Sequence, residues 1–306
     1  MDGPNLEGFI AATVTPMKPD FSIDEKALRG YLRWIADQGV HGVAVNVDTG
    51  EGPHLYPDER LRVIEIAAEE VGDRMVVVAG LAGAFTDQAT RLAADSGSAG
   101  AQALLVFPLP AYQGEPLDPR IPARYHQAVG DACGLPLIAF QLQPALGGVN
   151  FSRQALEQLL AVEYVAALKE ASFDAKRFVD TVAVVGSLQR DIVLLNGNDN
   201  FLLEAYLLGA GGALLGFGSL AASEQVAMLD AARRRDLDAA YALRPRLQAL
   251  CDTIFAPPVR DYRARVKYAL KLLGVIGAEH MRPPLLPLSE AEQQNVKAAL
   301  ARAELL

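Results

Sequence analysis

Lys169 has the placement that Schiff-base chemistry requires. It follows an apolar run, Val165-Ala166-Ala167-Leu168, which predicts a buried strand. An amine withdrawn from water has a lowered pKa, so more of it is neutral and able to attack a ketone. The alternative is a lysine paired with Glu170 or with another carboxylate at the rim of the fold, and position alone does not decide between the two.

A polar turn, Asp48-Thr49-Gly50-Glu51, follows the apolar run 43–47. Its carboxylate, hydroxyl and backbone amides could bind a carboxylate group and move a proton. A loop with a helix cap is the alternative interpretation. A third strand-like run ends in Asn196-Gly197-Asn198-Asp199, which again places polar groups after an apolar segment.

Other motifs exclude several kinds of site. The four histidines show no ligand spacing, so we expect no metal site. The sequence contains no Gly-x-Ser-x-Gly elbow for a hydrolase nucleophile, and no Gly-x-Gly-x-x-Gly follows the first strand. Gly209-Ala210-Gly211-Gly212 is typical of a helix end rather than a phosphate loop.

Composition excludes some partners and compartments. The net charge of −9 and pI near 5.0 argue against nucleic acid, and the one dense basic run, Arg233-Arg234-Arg235, fits a solvated helix face. Two cysteines are too few for a disulfide framework. With neither a signal-like start nor an apolar run of about 18 to 20 residues, we expect a cytoplasmic protein without a membrane partner.

Short apolar runs alternate with helical segments along the chain, and the candidate catalytic residues follow some of these runs. Such alternation is typical of parallel strands that are crossed over by helices. The predicted strands are 8–14, 42–47, 75–79, 103–107, 136–141, 165–169, 192–196 and 213–217. The predicted helices are 23–38, 57–71, 85–98, 119–132, 152–161, 173–186, 200–208 and 220–231.

Eight such units favour a closed (β/α)₈ TIM barrel, an α/β fold, over an open doubly wound sheet. We predict a barrel over residues 1–231 and a C-terminal helical bundle over 232–306, with helices at 235–253, 260–274 and 289–303. In such a barrel the ends of the strands gather the active site, so the three polar strand ends should meet.

Taken together, these motifs resemble the dihydrodipicolinate synthase / N-acetylneuraminate lyase family over essentially the whole chain. Thr13-Val14-Thr15-Pro16 is similar to the family's first strand ending, and Asp48-Thr49-Gly50-Glu51 to its Thr-Thr-Gly-Glu turn. Leu168-Lys169-Glu170-Ala171-Ser172 is similar to its Schiff-base lysine segment, and Gly197-Asn198-Asp199 with the glycines at 209–212 to its last strands.

The resemblance implies a lyase that needs no metal or organic cofactor, forms a homotetramer or homodimer, and binds pyruvate or another small 2-oxo acid. Lys169 would condense with the keto carbon, Thr49 and the amides around Gly50 would hold the carboxylate, and Gly197 would offer backbone groups to the imine. Asn198 and, in the eighth strand, Leu214 are further substrate-binding residues that the resemblance implies.

Three positions depart from the family's pattern. In Phe140-Gln141-Leu142-Gln143-Pro144, alignment on the proline places Gln141 at the acid/base tyrosine, whereas a one-residue gap places Phe140 there. We predict Gln141 as a substrate-binding residue. Asp48 replaces the first threonine of the relay, and Leu146 falls near the position of an arginine that handles a second carboxylate.

These departures argue against standard dihydrodipicolinate synthesis and favour an aldolase or dehydratase acting on another 2-oxo acid. Asp48 would then be the replacement base, and Tyr112 would either contribute a phenol or pack across a subunit interface. The competing hypothesis is a catalytically silent barrel that binds a metabolite or acts as a scaffold. A phosphate site at Gly216-Phe217-Gly218-Ser219 is a third, for which the loop lacks a lysine or arginine.

Overall fold

Eight parallel strands close into a barrel in the computed structural model, which describes residues 3–306. Each strand pairs with its neighbours in chain order, and the last pairs with the first. The strands are β1 Gly8–Ala12, β2 Gly42–Val45, β3 Val76–Leu81, β4 Ala103–Val106, β5 Leu137–Leu142, β6 Val165–Ala171, β7 Val193–Asn196 and β8 Gly212–Leu215. The predicted (β/α)₈ barrel is confirmed.

Eight helices follow the strands in turn, and three more follow the last unit. They are α1 Glu25–Ala36, α2 Pro57–Val71, α3 Thr86–Ser98, α4 Arg120–Cys133, α5 Arg153–Leu160, α6 Ala175–Gly186, α7 Leu202–Leu207, α8 Ala222–Arg233, α9 Leu237–Ile254, α10 Tyr262–Leu272 and α11 Glu290–Arg302. The predicted C-terminal helices exist, while the division of the chain at residue 232 stays a prediction. Among residues 3–306, no helix combines the length and apolar character needed to cross a bilayer.

Local sequence explains where these helices begin and which face they bury. The Asp24 carboxylate accepts a hydrogen bond from the Ala27 amide and so caps α1. In the same helix Leu28, Leu32 and Ile35 recur at helical spacing and are fully buried. The apolar stripe of α1 therefore packs on the outer surface of the barrel.

Alternation along each strand separates the barrel interior from the layer under the helices. Ile138 and Phe140 of β5 belong to the interior apolar cluster, whereas Leu137 and Ala139 belong to the outer one. In β6, Ala167 and Ala171 are interior. Because successive residues point to opposite faces, Lys169 lies on the interior face, and Gln141 and Glu170 lie on the outer face.

Candidate active site

The C-terminal ends of the strands open into a cavity of about 350 Å³, where barrel enzymes carry their active sites. Residues at or beyond the ends of seven strands line it, together with residues from the loop after α9 and from the first turn of α10. The lining residues with polar side chains are Asp48, Thr49, Lys169, Asp199, Arg260, Tyr262 and Arg263. Three polar strand ends of the sequence therefore meet in one cavity.

Lys169 reaches into this cavity from the interior face of β6. It lies beside Phe140 of β5, with the amine nitrogen 4.4 Å from the centre of that ring. Within residues 3–306 the amine makes no hydrogen bond or ion pair. Withdrawal from water lowers the pKa of Lys169 from 10.5 to about 8, although the charges of Asp199 and Asp48 act in the opposite direction.

The alternative pairing of Lys169 with Glu170 is wrong. Glu170 is fully buried on the outer face, where its carboxylate accepts hydrogen bonds from Gln141 Nε2 at 3.1 Å and Asn198 Nδ2 at 2.7 Å. The two neighbouring side chains point to opposite sides of β6. Lys169 therefore keeps a free amine.

The absence of a side chain at Gly197 leaves space for the side chain of Lys169. A methyl group at Gly197 would lie 2.8 Å from Lys169 Cε and 2.8 Å from Ala171 Cβ. The Gly197 amide donates to the Glu170 carbonyl at 2.7 Å, which ties the β7 loop to β6. Since that amide is already used, Gly197 contributes space to the site and offers no N–H to an imine.

Asp199, the last residue of the polar strand end 196–199, is a further cavity residue, for which no role was predicted. It is buried, and the Phe217 amide donates to its Oδ1 at 3.1 Å. Burial raises the pKa of Asp199 from 3.8 to about 6, while that hydrogen bond and the charge of Lys169 act to lower it. A carboxyl group that titrates near neutral pH thus shares the cavity with the amine.

Asp48, also predicted as catalytic, lines the cavity in a cluster with residues of α10. Arg263 contacts its carboxylate and donates from Nε to its backbone carbonyl at 2.7 Å. Tyr262 donates to Asp48 Oδ2 at 2.8 Å, and its hydroxyl lies 3.2 Å from Thr49 Oγ1. Both carboxylate oxygens are therefore engaged by donors from the C-terminal helices.

Thr49 and Gly50 differ in their position. Thr49 lines the cavity, as a carboxylate ligand should, whereas Gly50 is not among the lining residues. The Gly50 amide donates to the Val47 carbonyl at 3.1 Å, and a methyl group at Gly50 would lie 2.9 Å from the Thr13 carbonyl. The predicted substrate contact of the Gly50 amide is wrong, because the glycine is used for close packing against β1.

Phe140, and not Gln141, faces Lys169. This agrees with the alignment that contains a one-residue gap and not with the alignment on Pro144. The Gln141 side chain is fully buried outside the barrel, where it donates to Thr181 Oγ1 at 3.1 Å and accepts from the Phe151 amide at 3.0 Å. The prediction that Gln141 binds substrate is wrong for this reason. Leu146, near which the resemblance places an arginine, does line the cavity.

Three other predicted site residues lie outside the cavity lining. Asn198 is buried and donates to the Glu170 carbonyl at 2.8 Å, so it braces β6 against β7. Leu214 is part of the apolar cluster in the barrel interior. Tyr112 is fully buried against Tyr125 and Phe151, with ring centres 6.2 and 6.1 Å away.

The direct substrate contacts predicted for Asn198 and Leu214, and the phenol from Tyr112, therefore lack a geometric basis. Burial raises the pKa of Tyr112, and its hydroxyl has no hydrogen-bond partner within residues 3–306. Tyr262 and Arg263 were missed, and nothing in their local sequence could have found them. Asp199 could have been found by the strand-end rule that selected Lys169.

Comparisons with known proteins agree on one family. The sequence model described as "Dihydrodipicolinate synthetase family" matches residues 5–303. A 4-hydroxy-tetrahydrodipicolinate synthase of Acidiphilium cryptum is 33% identical over 301 residues, which cover 98% of this chain and 99% of that protein. A protein of the same name from Methylobacterium radiotolerans is 32% identical over 306 residues, covering 100% of this chain and 98% of that one.

Solved structures are similar over the same length. A chloride-inhibited dihydrodipicolinate synthase from Acinetobacter baumannii, complexed with pyruvate, superimposes with a TM-score of 0.87 at 26% identity and covers 99% of this chain and 100% of that chain. A dihydrodipicolinate synthase from Aquifex aeolicus gives a TM-score of 0.86 at 26% identity, covering 98% and 99%. The similarity therefore includes the C-terminal helices.

Proposed function

The chain belongs to the dihydrodipicolinate synthetase family, a family of class I aldolase-type lyases, and we propose that it forms a Schiff base between Lys169 and pyruvate or another small 2-oxo acid. Relatives named as synthases, and one solved in complex with pyruvate, support the choice of substrate. The observation that carries the proposal is the free amine of Lys169, which faces the cavity with a pKa of about 8.

The proposed reaction begins when the neutral amine attacks the keto carbon. The keto oxygen leaves as water, with one proton from the amine and one from a nearby acid, and an iminium remains. The positive nitrogen then draws electrons from the adjacent carbon, so a C–H or C–C bond there is weakened. Thr49, which lines the same cavity, would hold the carboxylate of the acid.

Asp199 is the proposed proton carrier. Its pKa of about 6 lies near neutral pH, which suits a group that must both give and take protons. Asp48 is the other candidate, but its carboxylate oxygens already accept from Tyr262 and Arg263. Asp48 is better suited to orient Tyr262 beside Thr49 than to remove a proton from substrate.

We further propose that the reaction is not standard dihydrodipicolinate synthesis. Phe140 lies beside Lys169 with no hydroxyl to relay protons. Leu146 supplies no charge for a second carboxylate. The cavity is therefore better suited to an aldolase or dehydratase acting on another 2-oxo acid.

Phe140 also favours a second candidate, a catalytically silent barrel that binds a small metabolite. Loss of the phenol beside the amine is the change expected if turnover were lost and the fold retained. This candidate binds its metabolite without a covalent bond, so it predicts that Lys169 captures no oxo acid.

Reductive trapping distinguishes the two. The protein is incubated with pyruvate and borohydride, and the mass of the intact chain and its peptides is measured. The lyase predicts one adduct, on Lys169, that disappears in Lys169→Ala. The control Lys176→Ala removes an exposed lysine of α6 that pairs with Asp180, and it should leave the adduct unchanged. The absence of any adduct with pyruvate or larger 2-oxo acids would support the silent barrel.

A further inference from the structure

One side of the cavity is a wall of apolar side chains. Phe107 follows β4, Phe140 and Leu142 belong to β5, and Phe173 follows β6, and all four line the cavity. The rings of Phe107 and Phe140 meet edge to face, with centres 5.2 Å apart and planes at 82°. A ligand whose head is fixed at Lys169 would rest its remaining atoms near these rings.

Four polar side chains of the cavity, Asp48, Thr49, Tyr262 and Arg263, bind one another at its α10 side, while Arg260 is largely exposed and lies 3.6 Å from Asp261. Asp48 is bound by Arg263 and Tyr262, and Tyr262 is within hydrogen-bond distance of Thr49. Asp199 accepts from a backbone amide. If a polyhydroxylated chain lay against the apolar wall, its hydroxyls there would lose their water and find no hydrogen-bond partner. This loss disfavours its binding.

Phe173 provides an independent observation. Its backbone is left-handed, with φ of 59°, a conformation that glycine adopts freely and a bulky residue rarely does. Its amide donates to Asn198 Oδ1 at 2.6 Å, and Asn200 Nδ2 donates to its carbonyl at 3.4 Å. Strain held in place by such bonds at a cavity residue indicates a functional requirement for the side chain.

We propose that the enzyme acts on 2-oxo acids whose tail is apolar, preferably aromatic, and that Phe173 is a specificity-determining residue for that tail. The proposal rests on the proposed Schiff-base function. In the cleavage direction, the substrate is a 4-hydroxy-2-oxo acid bound to Lys169 as its iminium. The bond between C3 and C4 breaks, its electron pair forms the enamine, the C4 hydroxyl loses its proton to Asp199, and an apolar aldehyde leaves.

Two 4-hydroxy-2-oxo acids that differ only in their tail test the proposal. One carries a phenyl group at C4 and the other a three-carbon polyol. Consumption of each acid is followed by chromatography, which records cleavage and dehydration alike. Burial of a phenyl ring against the wall predicts a kcat/KM at least about tenfold higher for the phenyl substrate.

Phe173→Gly removes the ring and relieves the backbone at the same time. The expected result is a loss of most of the phenyl preference with a melting temperature no lower than that of the parent. Phe21→Gly is the matched control, because Phe21 is also left-handed, with φ of 64°, but is not part of the cavity lining. It should leave the preference unchanged.

The outcomes separate the two proposals. Equal or better use of the polyol, or no use of either acid by a protein that still traps pyruvate on Lys169, would overturn the apolar-tail inference alone. An unchanged preference in Phe173→Gly would overturn the role of Phe173. Failure to trap pyruvate at all would remove the Schiff-base function, and the inference with it.

Discussion

Lys169 and Asp199 share one cavity, and each changes the proton affinity of the other. The carboxylate charge raises the pKa of the lysine, and the ammonium charge lowers the pKa of the aspartic acid. Burial acts against both charged forms and is the larger effect in each case. The pKa of the lysine is therefore lowered towards neutral pH, and the pKa of the aspartic acid is raised towards it.

Asp199→Asn is expected to lower the pH at which Lys169 becomes reactive. Only the neutral amine attacks, so the rate of pyruvate trapping should rise with pH through about 8 in the parent protein. Without the Asp199 charge the pKa of Lys169 falls, and the midpoint of this rise should lie below 8. The amide oxygen of asparagine still accepts from the Phe217 amide.

Trapping rates between pH 6 and 10 measure this midpoint. Asp180→Asn, at an exposed carboxylate of α6, serves as the control and should leave the midpoint where it is. A midpoint that stays at about 8 in Asp199→Asn would show that the carboxylate does not act on Lys169. A higher midpoint would contradict the sign of the coupling.

Single residues show how far the sequence could predict the site. Lys169, Asp48 and Thr49 were predicted because the ends of parallel strands meet at one end of a barrel. Gln141 was wrongly predicted to face the substrate, because alignment on Pro144 does not determine where a one-residue gap belongs. The alternation of side chains along β5 decides which one faces inward. Phe140, paired with Lys169 in the barrel, takes that position.

At the scale of elements, the contact between β6 and the β7 loop decides whether Lys169 fits. Gly197→Ala should lower the rate of pyruvate trapping at least about tenfold, because the new methyl group would lie 2.8 Å from Lys169 Cε and displace the amine. Circular dichroism should show that the barrel is retained. The Ala171 and Glu170 contacts leave the methyl group no easy alternative position.

Gly186→Ala is the matched control at the end of α6. A methyl group there would meet nothing within 4 Å, and alanine favours helix over glycine. Stability should therefore be unchanged or slightly higher, with trapping unaffected. Normal trapping by Gly197→Ala would show that the lysine can reposition itself and that the glycine has another role.

The strands and helices were more predictable than the contacts between distant elements. Each of the eight strands overlaps its predicted range, because buried parallel strands are apolar and short. The contribution of α10 was not predictable, since Tyr262 and Asp48 are 214 residues apart and neither has a local pattern that names the other. Sequence motifs identify the ends of the strands, but they do not identify the distant helices that pack over those ends.

At the scale of the whole molecule, charged pairs join the C-terminal helices to the barrel. The most buried is the pair of Lys267 in α10 and Glu51 in the turn after β2, both with fully buried side chains. Lys267 also donates to the His280 carbonyl at 2.8 Å. Arg282 and Glu59 form a second, partly buried link at 2.7 Å.

Lys267→Met should be strongly destabilising, because it leaves the Glu51 carboxylate buried without its countercharge. Breaking a buried pair by removing one partner costs about 3–5 kcal/mol in the free energy of unfolding, against about 0–1 kcal/mol for an exposed pair. Urea unfolding measures the difference. Lys271→Met, one turn further along α10 in a partly exposed pair with Glu279, is the matched control and should cost little.

The double variant Glu51→Gln/Lys267→Met separates charge from packing. With the carboxylate neutral, most of the lost stability should return, since methionine fills a volume similar to that of lysine and glutamine carries no charge into the core. If Lys267→Met cost no more than Lys271→Met, the buried pair would not be what joins α10 to the barrel. Because α10 carries Tyr262 and Arg263 to Asp48, the destabilised single variant should also trap pyruvate more slowly, and the double variant should recover both properties together.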